Sequence, residues 1–208
     1  MICIYGGTFD PIHFGHLRTA FEVAETLEAE VRLLPAYRPP HRAQPVASPS
    51  QRLAMLERAL PGQNRLRVDT RELDRGGVSY MVDTLASLRE EAGQTPLALV
   101  LGLDAFAHLD RWHQWERLIE RAHLVVMTRP GGALPVSGPV ADLLSAHRVD
   151  DAEALRARPA GDIWPCPVTA LDISATRIRA LCAAGRSPRW LLPDAVLDYI
   201  EAEGLYRN

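Results

Sequence analysis

Short, mostly apolar runs alternate with segments of helical periodicity along this chain, and the alternation limits the folds open to it. The five runs span residues 1–5, 31–35, 66–70, 97–101 and 124–128. A strand that is apolar at successive positions, and not only at every second one, is buried on both faces, as in parallel sheets covered by helices. The order therefore predicts an α/β fold with a doubly wound parallel sheet.

Helical patterns fill the segments between these runs. The predicted helices are one with the stripe Leu17, Ala20, Phe21, Ala24 and Leu27, one after a capping-box pattern at 48–51, one capped by Ser79 and reaching Leu88, and one containing Trp112 and Trp115. Residues 130–159 are interrupted by glycine and proline and predict an irregular surface excursion. We expect a single domain, with a Rossmann-like core over residues 1–170 and a small C-terminal helical segment over 171–208.

The composition limits the chemistry. The 208 residues include no lysine, since all 23 Lys and Arg positions are arginine. This excludes Schiff-base and pyridoxal-phosphate chemistry and the phosphate loop G-x-x-x-x-G-K-[ST]. Anions must be bound by arginine, histidine, main-chain N–H groups and helix termini. The net charge of −3 gives no general attraction to nucleic acid or to an anionic membrane, so we expect small phosphorylated ligands and neither of those partners.

Cysteine usage and the N-terminal segment predict a cytoplasmic location. Cys3, Cys166 and Cys182 are odd in number, far apart and not arranged as C-x-x-C, which argues against a disulfide framework or a thiolate zinc site. The N-terminal segment lacks the basic and long apolar regions of a signal peptide, and no stretch approaches the roughly 18 apolar residues that span a bilayer.

The turn after the first apolar run, residues 6–16 with the sequence GGTFDPIHFGH, has the composition of a phosphate site. Gly6 and Gly7 let the main chain approach a ligand closely, and a helix begins near His16, with unpaired N–H groups and a positive dipole end. His13 and His16 can donate N–H bonds to phosphate oxygens during phosphoryl or nucleotidyl transfer. Two alternatives stay open: a structural histidine pair, or an i, i+3 metal pair without a third ligand at a known spacing.

Residues 173–179, with the sequence ISATRIR, form a second motif. Ser174 is a candidate N-cap for a helix starting near Ala175, whose free N–H groups would hold the β and γ phosphates, and Arg179 lies one turn further on. Taken alone, Ser-x-Thr before a helix is usually only a cap.

Together the two motifs resemble the paired signatures of the nucleotidyltransferase superfamily with the H-x-G-H motif. Further blocks extend the resemblance, along nearly the whole chain, to the bacterial nicotinate-nucleotide adenylyltransferases. They are RPPHR (38–42), RELDRGGVSYMVDTL (71–85), LGLDAFAHLDRWHQWERL (101–118), RPGG (129–132) and LLPDAVLDYIEAEGLY (191–206). The resemblance implies transfer of AMP from ATP to nicotinate mononucleotide, giving deamido-NAD and pyrophosphate in NAD biosynthesis. It also implies that Mg²⁺ is bound through the ATP phosphates and that the protein itself holds no metal. The resemblance is compatible with a homo-oligomer.

The resemblance also assigns residues. His16 makes the main transition-state contact, His13 contacts the α-phosphate, and Arg179 with the helix behind Ser174 contacts the pyrophosphate. The positions implied for ATP are Gly6, Gly7, Thr8, Phe9, His13, His16, Gly102, Asp104, Ile173, Ser174, Thr176 and Arg179. Those implied for nicotinate mononucleotide are His41, Arg42, Tyr80, Met81, Thr84, Trp112, His113 and Arg129.

Some of these positions have a physical interpretation of their own. Trp112 offers a flat apolar face for a pyridine ring, whereas we interpret Trp115 as a core residue. Asp104 follows a strand end, where it would bind a ribose hydroxyl or an adenine amine, or simply cap the next helix. The family commonly has threonine where this chain has Met81. That side chain has no hydroxyl for the nicotinate carboxylate, so only a main-chain N–H would serve there.

Alternative functions also stay open. A sister adenylyltransferase would act on nicotinamide mononucleotide or phosphopantetheine, and a non-catalytic module would bind a nucleotide without turnover. A Rossmann oxidoreductase would need G-x-G-x-x-G and an acidic residue about 20 positions later, whereas the turn reads G-G-T-F-D-P.

Overall fold

The fold is centred on a parallel sheet. The computed structural model describes residues 1–40, 44–62, 64–129 and 131–207. The strands are β1 (Ile2–Gly7), β2 (Glu30–Pro35), β3 (Leu66–Val68), β4 (Leu97–Gly102), β5 (His123–Thr128) and β6 (Ile163–Pro167). They form one sheet in the order β3-β2-β1-β4-β5-β6, with every neighbouring pair parallel. The predicted doubly wound parallel sheet is confirmed.

Helices follow the strands in the expected alternation. They are α1 (Phe14–Thr26), α2 (Pro49–Ala59), α3 (Arg71–Arg75), α4 (Met81–Ala92), α5 (Leu103–Phe106), α6 (Leu118–Arg121), α7 (Pro139–His147), α8 (Ala175–Ala183) and α9 (Asp194–Ala202). The capping box before α2 is confirmed: the Ser48 hydroxyl accepts from the Gln51 N–H, and the Gln51 side chain accepts from the Ser48 N–H. These reciprocal bonds satisfy main-chain donors that the helix itself leaves unpaired.

Successive side chains of each central strand enter two different apolar cores. Cys3 of β1 and Leu33 of β2 belong to one core, and their neighbours Ile4 and Leu34 belong to the other. The first core packs against α1, α2, α8 and α9, and the second against α4, α5, α6 and α7. Burial on both faces explains why the strands are apolar at successive positions, since each buried large aliphatic side chain contributes about 1.5–3 kcal/mol.

The expectation of five strands and an irregular segment over 130–159 was wrong. The structure adds β6 and α7, as well as a 3₁₀ segment at Ala152–Arg156. Pro165 and Pro167 weaken the strand pattern of β6 in the sequence. They are tolerated there because β6 lies at the edge of the sheet, where its outer side makes only an isolated bridge between Ile163 and Arg148 within the described residues.

The chain around the two central tryptophans is less helical than predicted. Two single 3₁₀ turns, Leu109–Arg111 and Trp115–Arg117, replace the expected helix. Between them Trp112 has an extended backbone, with φ −82° and ψ 147°, and Gln114 is left-handed, with φ 49° and ψ 42°. Trp115 is half-buried and packs against the second core, in line with its interpretation as a core residue.

The predicted cap of α4 was also wrong. The N-cap of α4 is Tyr80, without a side-chain cap bond. The Ser79 hydroxyl accepts from the Tyr37 N–H at 2.9 Å instead, and the Ser79 N–H donates to the Arg38 carbonyl at 3.0 Å. Ser79 therefore joins the segment after β2 to the segment before α4.

The C-terminal segment is fastened to the first core. Val196, Leu197 and Ile200 of α9 are at most 2% exposed and belong to that core, as does Ile178 of α8. Their burial places α8, with the second sequence motif at its start, against the body of the sheet. No helix in the part of the chain that the structure describes is long and apolar enough to cross a membrane.

Candidate active site

The site lies where the strand order reverses. β1 pairs with β2 on one side and with β4 on the other. The helix that follows β1 packs against the first core, and the helices around β4 pack against the second. The chain therefore leaves the carboxyl ends of these two strands toward opposite faces, which opens a cleft between them, the usual ligand position in such sheets. Gly7 ends β1 and Gly102 ends β4 at this cleft.

The first cavity in the cleft has a volume of about 580 Å³. Its lining includes most positions predicted for ATP, namely Thr8, His13, His16, Gly102, Asp104, Ile173, Ser174, Thr176 and Arg179. The two sequence motifs, more than 150 residues apart, therefore meet around one space. Arg129, predicted on the acceptor side, also lines this first cavity and not the second one.

His13 and His16 stack at the start of α1. Their ring centroids are 3.7 Å apart and the planes differ by 24°. His13 is the N-cap of α1 and is 4% exposed, and this burial lowers its pKa to about 4. The His13 ring is therefore neutral at neutral pH and offers one N–H donor, while its Nδ1 has no hydrogen-bond partner within the described residues.

Gly15 allows the two motifs to approach each other. A Cβ at position 15 would lie 3.0 Å from the His13 ring and 3.4 Å from the Ile173 carbonyl oxygen. A side chain at position 15 would therefore press on the His13 ring, while the Ile173 oxygen would be in van der Waals contact.

The buried Phe9 side chain packs against the histidine pair. Its ring is 1% exposed and does not line the first cavity. It lies edge-on to the His16 ring, with centroids 5.2 Å apart and planes at 80°, and edge-on to the Tyr5 ring. Phe9, predicted with the ATP residues, thus holds the orientation of His16 through its ring.

The second motif reaches the first through Arg179. Ser174 caps α8 as predicted, and its hydroxyl accepts from the Arg177 N–H at 3.3 Å. Arg179 donates from Nη1 to the main-chain oxygen of Asp10 at 2.7 Å and from Nη2 to the Thr176 hydroxyl at 3.3 Å. The guanidinium is therefore oriented at the cavity wall before any anion is bound.

Asp10 is a site residue that the sequence reasoning missed, although it lies inside the first motif. Its carboxylate is almost fully buried and lines the first cavity. Oδ2 accepts from the Val46 N–H at 2.8 Å and Oδ1 from the Ala47 N–H at 3.1 Å. Asp10 thus ties the turn after β1 to residues 46 and 47, and Val46 also lines the cavity.

Arg52 of α2 was missed as well. It is fully buried, and it donates from Nη1 to the Thr8 carbonyl at 2.8 Å and from Nη2 to the Tyr37 carbonyl at 3.3 Å. Burial lowers the pKa of Arg52, while the nearby negative charge of Asp10 opposes that shift. The sequence did contain a signal for this role. Arg52 lies three and four positions before Met55 and Leu56, on the apolar face of the helix, and an arginine buried there needs hydrogen-bond acceptors.

A second cavity, of about 530 Å³, lies on the other side of β1. It collects predicted acceptor residues, namely Tyr80, Met81, Trp112 and His113, together with the predicted ATP residues Gly6 and Gly7. The Tyr80 and His113 rings approach to 4.4 Å between centroids. Thr8 and Asp104 line both cavities, which therefore meet at the end of β1.

Met81 closes one wall of the second cavity. A Cβ at position 6 would lie 2.8 Å from the Met81 Cε, so the methionine side chain extends across Gly6. Since α4 starts at Met81 without a side-chain cap, its first N–H groups are left for another partner. An uncapped N-terminus beside an apolar wall suits a carboxylate attached to a flat ring.

Thr84 lies outside both cavities. It is fully buried, and its hydroxyl donates to Glu72 Oε1 at 2.6 Å and accepts from Arg75 Nη2 at 3.0 Å. Glu72, which the sequence reasoning missed, does line the second cavity, and burial raises its pKa. The structure therefore places Thr84 behind Glu72 and not against the ligand space.

Replacing Thr84 by valine should lower the free energy of unfolding by about 1–3 kcal/mol, because the buried Glu72 carboxyl then loses a donor. Urea unfolding at neutral pH measures this change. Thr95→Val is the matched control, since Thr95 is exposed. Equal effects of the two substitutions would contradict the bond to Glu72.

Two predicted acceptor residues, His41 and Arg42, lie outside the described residues. The chain leading to them is described, and Pro39 and Pro40 line the second cavity. Across residues 1–40, 44–62, 64–129 and 131–207, no group of three or more His, Cys, Asp or Glu side chains is arranged to hold a metal ion.

Comparison with known proteins agrees with this geometry. A family model described as cytidylyltransferase-like matches residues 4–181, and the chain belongs to this family of nucleotidyltransferases. Full-length relatives narrow the assignment. Proteins named probable nicotinate-nucleotide adenylyltransferase are 52% identical in Methylococcus capsulatus, covering 99% of both chains, and 51% identical in Pseudomonas aeruginosa, covering 99% of this chain and 97% of the relative. The resemblance predicted from the sequence, to the nicotinate-nucleotide adenylyltransferases, is confirmed.

Solved structures agree on the fold. Plasmodium falciparum nicotinic acid mononucleotide adenylyltransferase complexed with NaAD superimposes with a TM-score of 0.73 at 17% identity, covering 99% of this chain and 96% of the other. The same protein complexed with APC gives a TM-score of 0.71. At this identity the likeness concerns the fold.

Proposed function

We propose that this enzyme transfers AMP from ATP to nicotinate mononucleotide, releasing pyrophosphate and forming deamido-NAD. The observation that carries the proposal is the pair of cavities that meet at Thr8 and Asp104. One cavity is lined by groups from both sequence motifs that can donate hydrogen bonds to an anion. The other is lined by aromatic rings and by the start of a helix that has no side-chain cap. A nucleotide and an aromatic mononucleotide bound side by side would bring their phosphates together at this junction.

The reaction needs no protein nucleophile. An oxygen of the acceptor phosphate forms a bond to the α-phosphorus of ATP, and the bond from that phosphorus to the oxygen bridging it to the β-phosphorus breaks. Pyrophosphate leaves with the electron pair of the broken bond. Since the acceptor phosphate is already ionised at neutral pH, positioning and charge stabilisation carry the catalysis.

The donors of the first cavity are arranged for this charge. His16 lies in the first turn of α1, where the positive end of the helix dipole adds to its N–H donor. The neutral His13 ring donates to the α-phosphate without requiring prior protonation. Arg179 and the start of α8 receive the pyrophosphate, because the guanidinium is already held at the wall of that cavity.

On the acceptor side, we propose that Trp112 stacks on the pyridine ring while N–H groups at the start of α4 bind its carboxylate. The side chain of Met81 supplies no polar group here, since its thioether extends across Gly6 and presents an apolar surface. A main-chain donor does not discriminate by itself against a neutral amide. The selectivity for the acid therefore rests on the helix N-terminus, which favours a negative charge.

We propose that Mg²⁺ arrives on the phosphates of ATP. When bound, it neutralises charge on the phosphate oxygens. The donor set fits this arrangement, because the first cavity is lined by N–H donors for phosphate and, within the described part of the chain, by only two carboxylates, those of Asp10 and Asp104. The oxygens of Asp10 already accept from main-chain N–H groups, which leaves too few ligands among the described residues to hold a metal without the phosphates. We also propose a cytoplasmic location and no nucleic-acid partner. Size-exclusion chromatography with light scattering would measure whether the protein forms a homo-oligomer.

The function is tested by incubating the purified protein with ATP and Mg²⁺ and with one acceptor at a time. The acceptors are nicotinate mononucleotide, nicotinamide mononucleotide and phosphopantetheine, and pyrophosphate release is measured. We expect the highest kcat/KM with nicotinate mononucleotide. A higher value with another acceptor would overturn the substrate, and no turnover with any of them would overturn the enzyme activity.

Replacing Trp112 by alanine should raise KM for nicotinate mononucleotide roughly 5- to 150-fold, because base–aromatic stacking contributes about 1–3 kcal/mol. KM for ATP should change little, since Trp112 lines only the second cavity. The control is Trp190→Ala, because Trp190 is 76% exposed and lies outside both cavities. An unchanged KM for the acceptor would remove Trp112 from its binding site.

A further inference from the structure

The last described residues of the chain reach the active site. The Tyr206 hydroxyl donates to Asp10 Oδ1 at 2.7 Å, across 196 positions of sequence. Tyr206 is 8% exposed and belongs to the first core. Burial and the adjacent Asp10 carboxylate raise the pKa of Tyr206 far above its ordinary value, so the phenol keeps its proton and acts as the donor.

Asp10 is the point where four distant segments meet. Its carboxylate accepts from Tyr206, from the Val46 N–H and from the Ala47 N–H, while its main-chain oxygen accepts from Arg179. Oδ1 is shared between Tyr206 and Ala47, at 2.7 and 3.1 Å. The shorter of these two bonds comes from the tyrosine.

The contacts of Asp10 set the shape of the first cavity. Val46 and Arg179 both line that cavity, and Asp10 bonds to each of them. Rotation of the Asp10 side chain would release residues 46 and 47. Displacement of its main chain would release the Arg179 guanidinium. Tyr206 opposes both movements, because it bonds to the carboxylate from the side of the first core.

We infer that Tyr206 is a positioning residue for the ATP site, acting through Asp10 on Arg179 and on residues 46 and 47. The inference rests on the proposed function for the identity of the nucleotide. It assigns to the C-terminal segment a second role besides carrying the ISATRIR motif, since its final turn orients the turn after β1. Tyr206 itself does not line the cavity.

The test is Tyr206→Phe, which keeps the ring and removes only the hydroxyl. The dissociation constant of ATP with Mg²⁺ is measured by calorimetry without any acceptor, and KM values are measured by pyrophosphate release. We expect the ATP dissociation constant and KM for ATP to rise roughly fivefold to tenfold, the size of one ordinary net hydrogen bond, because only part of the lost bond energy is transmitted to the ATP site. KM for nicotinate mononucleotide should stay within twofold.

The matched control is Tyr199→Phe. The Tyr199 ring packs against the Arg58 guanidinium, 4.3 Å from its centroid, and lies outside both cavities. This variant should bind ATP like the unmodified protein. A Tyr206→Phe variant with lowered stability and an ATP dissociation constant within twofold of the unmodified protein would show a purely structural role and overturn the inference.

Two further arms keep the outcome decisive. If Tyr206→Phe does not fold in the assay buffer, the ATP dissociation constants of this variant and of the unmodified protein are compared in sucrose, which favours the folded state. The same rise is expected there, and a change within twofold would overturn the inference. Protein that binds ATP but turns over none of the acceptors would contradict the proposed reaction, while the effect of Tyr206 on ATP affinity would still be measured.

Discussion

Replacing His16 by alanine should lower kcat by a factor of about 100 or more, the loss typical of removing one preorganised donor to a transition-state charge. The His16 ring is held by stacking on His13 and by the edge of Phe9, so the donor is oriented before the substrates bind. KM for ATP should change less than kcat, because the bond is strongest in the transition state.

The measurement is steady-state pyrophosphate release, with thermal unfolding of each variant as the check on folding. His147→Ala is the matched control, since the His147 Nδ1 bonds to the Gly161 carbonyl and the ring lies outside both cavities. Near-normal turnover of His16→Ala would remove His16 from the mechanism.

Lowering the pH from 7 to 4.5 should cost about 2–3 kcal/mol of unfolding free energy through His13 alone. Its pKa is about 4 in the folded protein and about 6.5 in the unfolded chain, so the unfolded state binds more protons between these values. The stability that belongs to the neutral ring is therefore present above pH 6.5 and is lost as the pH falls toward 4.

Comparison with His13→Gln isolates this contribution. Other groups lose stability in acid as well: His123 is buried with a lowered pKa, and salt bridges lower the pKa of Glu91. Urea unfolding of both proteins at pH 7 and pH 4.5 gives the difference. The unmodified protein should lose more stability than His13→Gln, and equal losses would contradict the burial-shifted pKa of His13.

The sheet was predictable because each central strand has a strong local signal. β1, β4 and β5 are buried on both faces, so nearly every residue is apolar and the runs are visible without any knowledge of their partners. β6 lies at an edge and contains two prolines, so its own sequence has little strand propensity. Its extended conformation depends on the pairing with β5. Strand order follows from packing across the chain and has no local pattern.

The site residues that lie in short sequence motifs were predictable from the sequence. His13, His16, Ser174 and Arg179 belong to two continuous strings, and helix capping gives each string a physical reason. Thr84 was misplaced because its position in a motif does not tell which way the side chain faces. Only the packing of α4 on the second core shows that its hydroxyl points to Glu72.

The sequence alone determined the parallel sheet, the two phosphate motifs and the class of enzyme. Periodicity, helix capping and sequence motifs are local properties of the chain, so they can be recognised without the structure. The tertiary structure alone decides that two cavities meet at Thr8 and Asp104, and that Arg52 and Tyr206 support the turn after β1. Those contacts join residues far apart along the chain. They form because a polar group that becomes buried on folding needs a hydrogen-bond partner, and the partner can come from any part of the chain. A local sequence pattern does not show which distant residue that partner is.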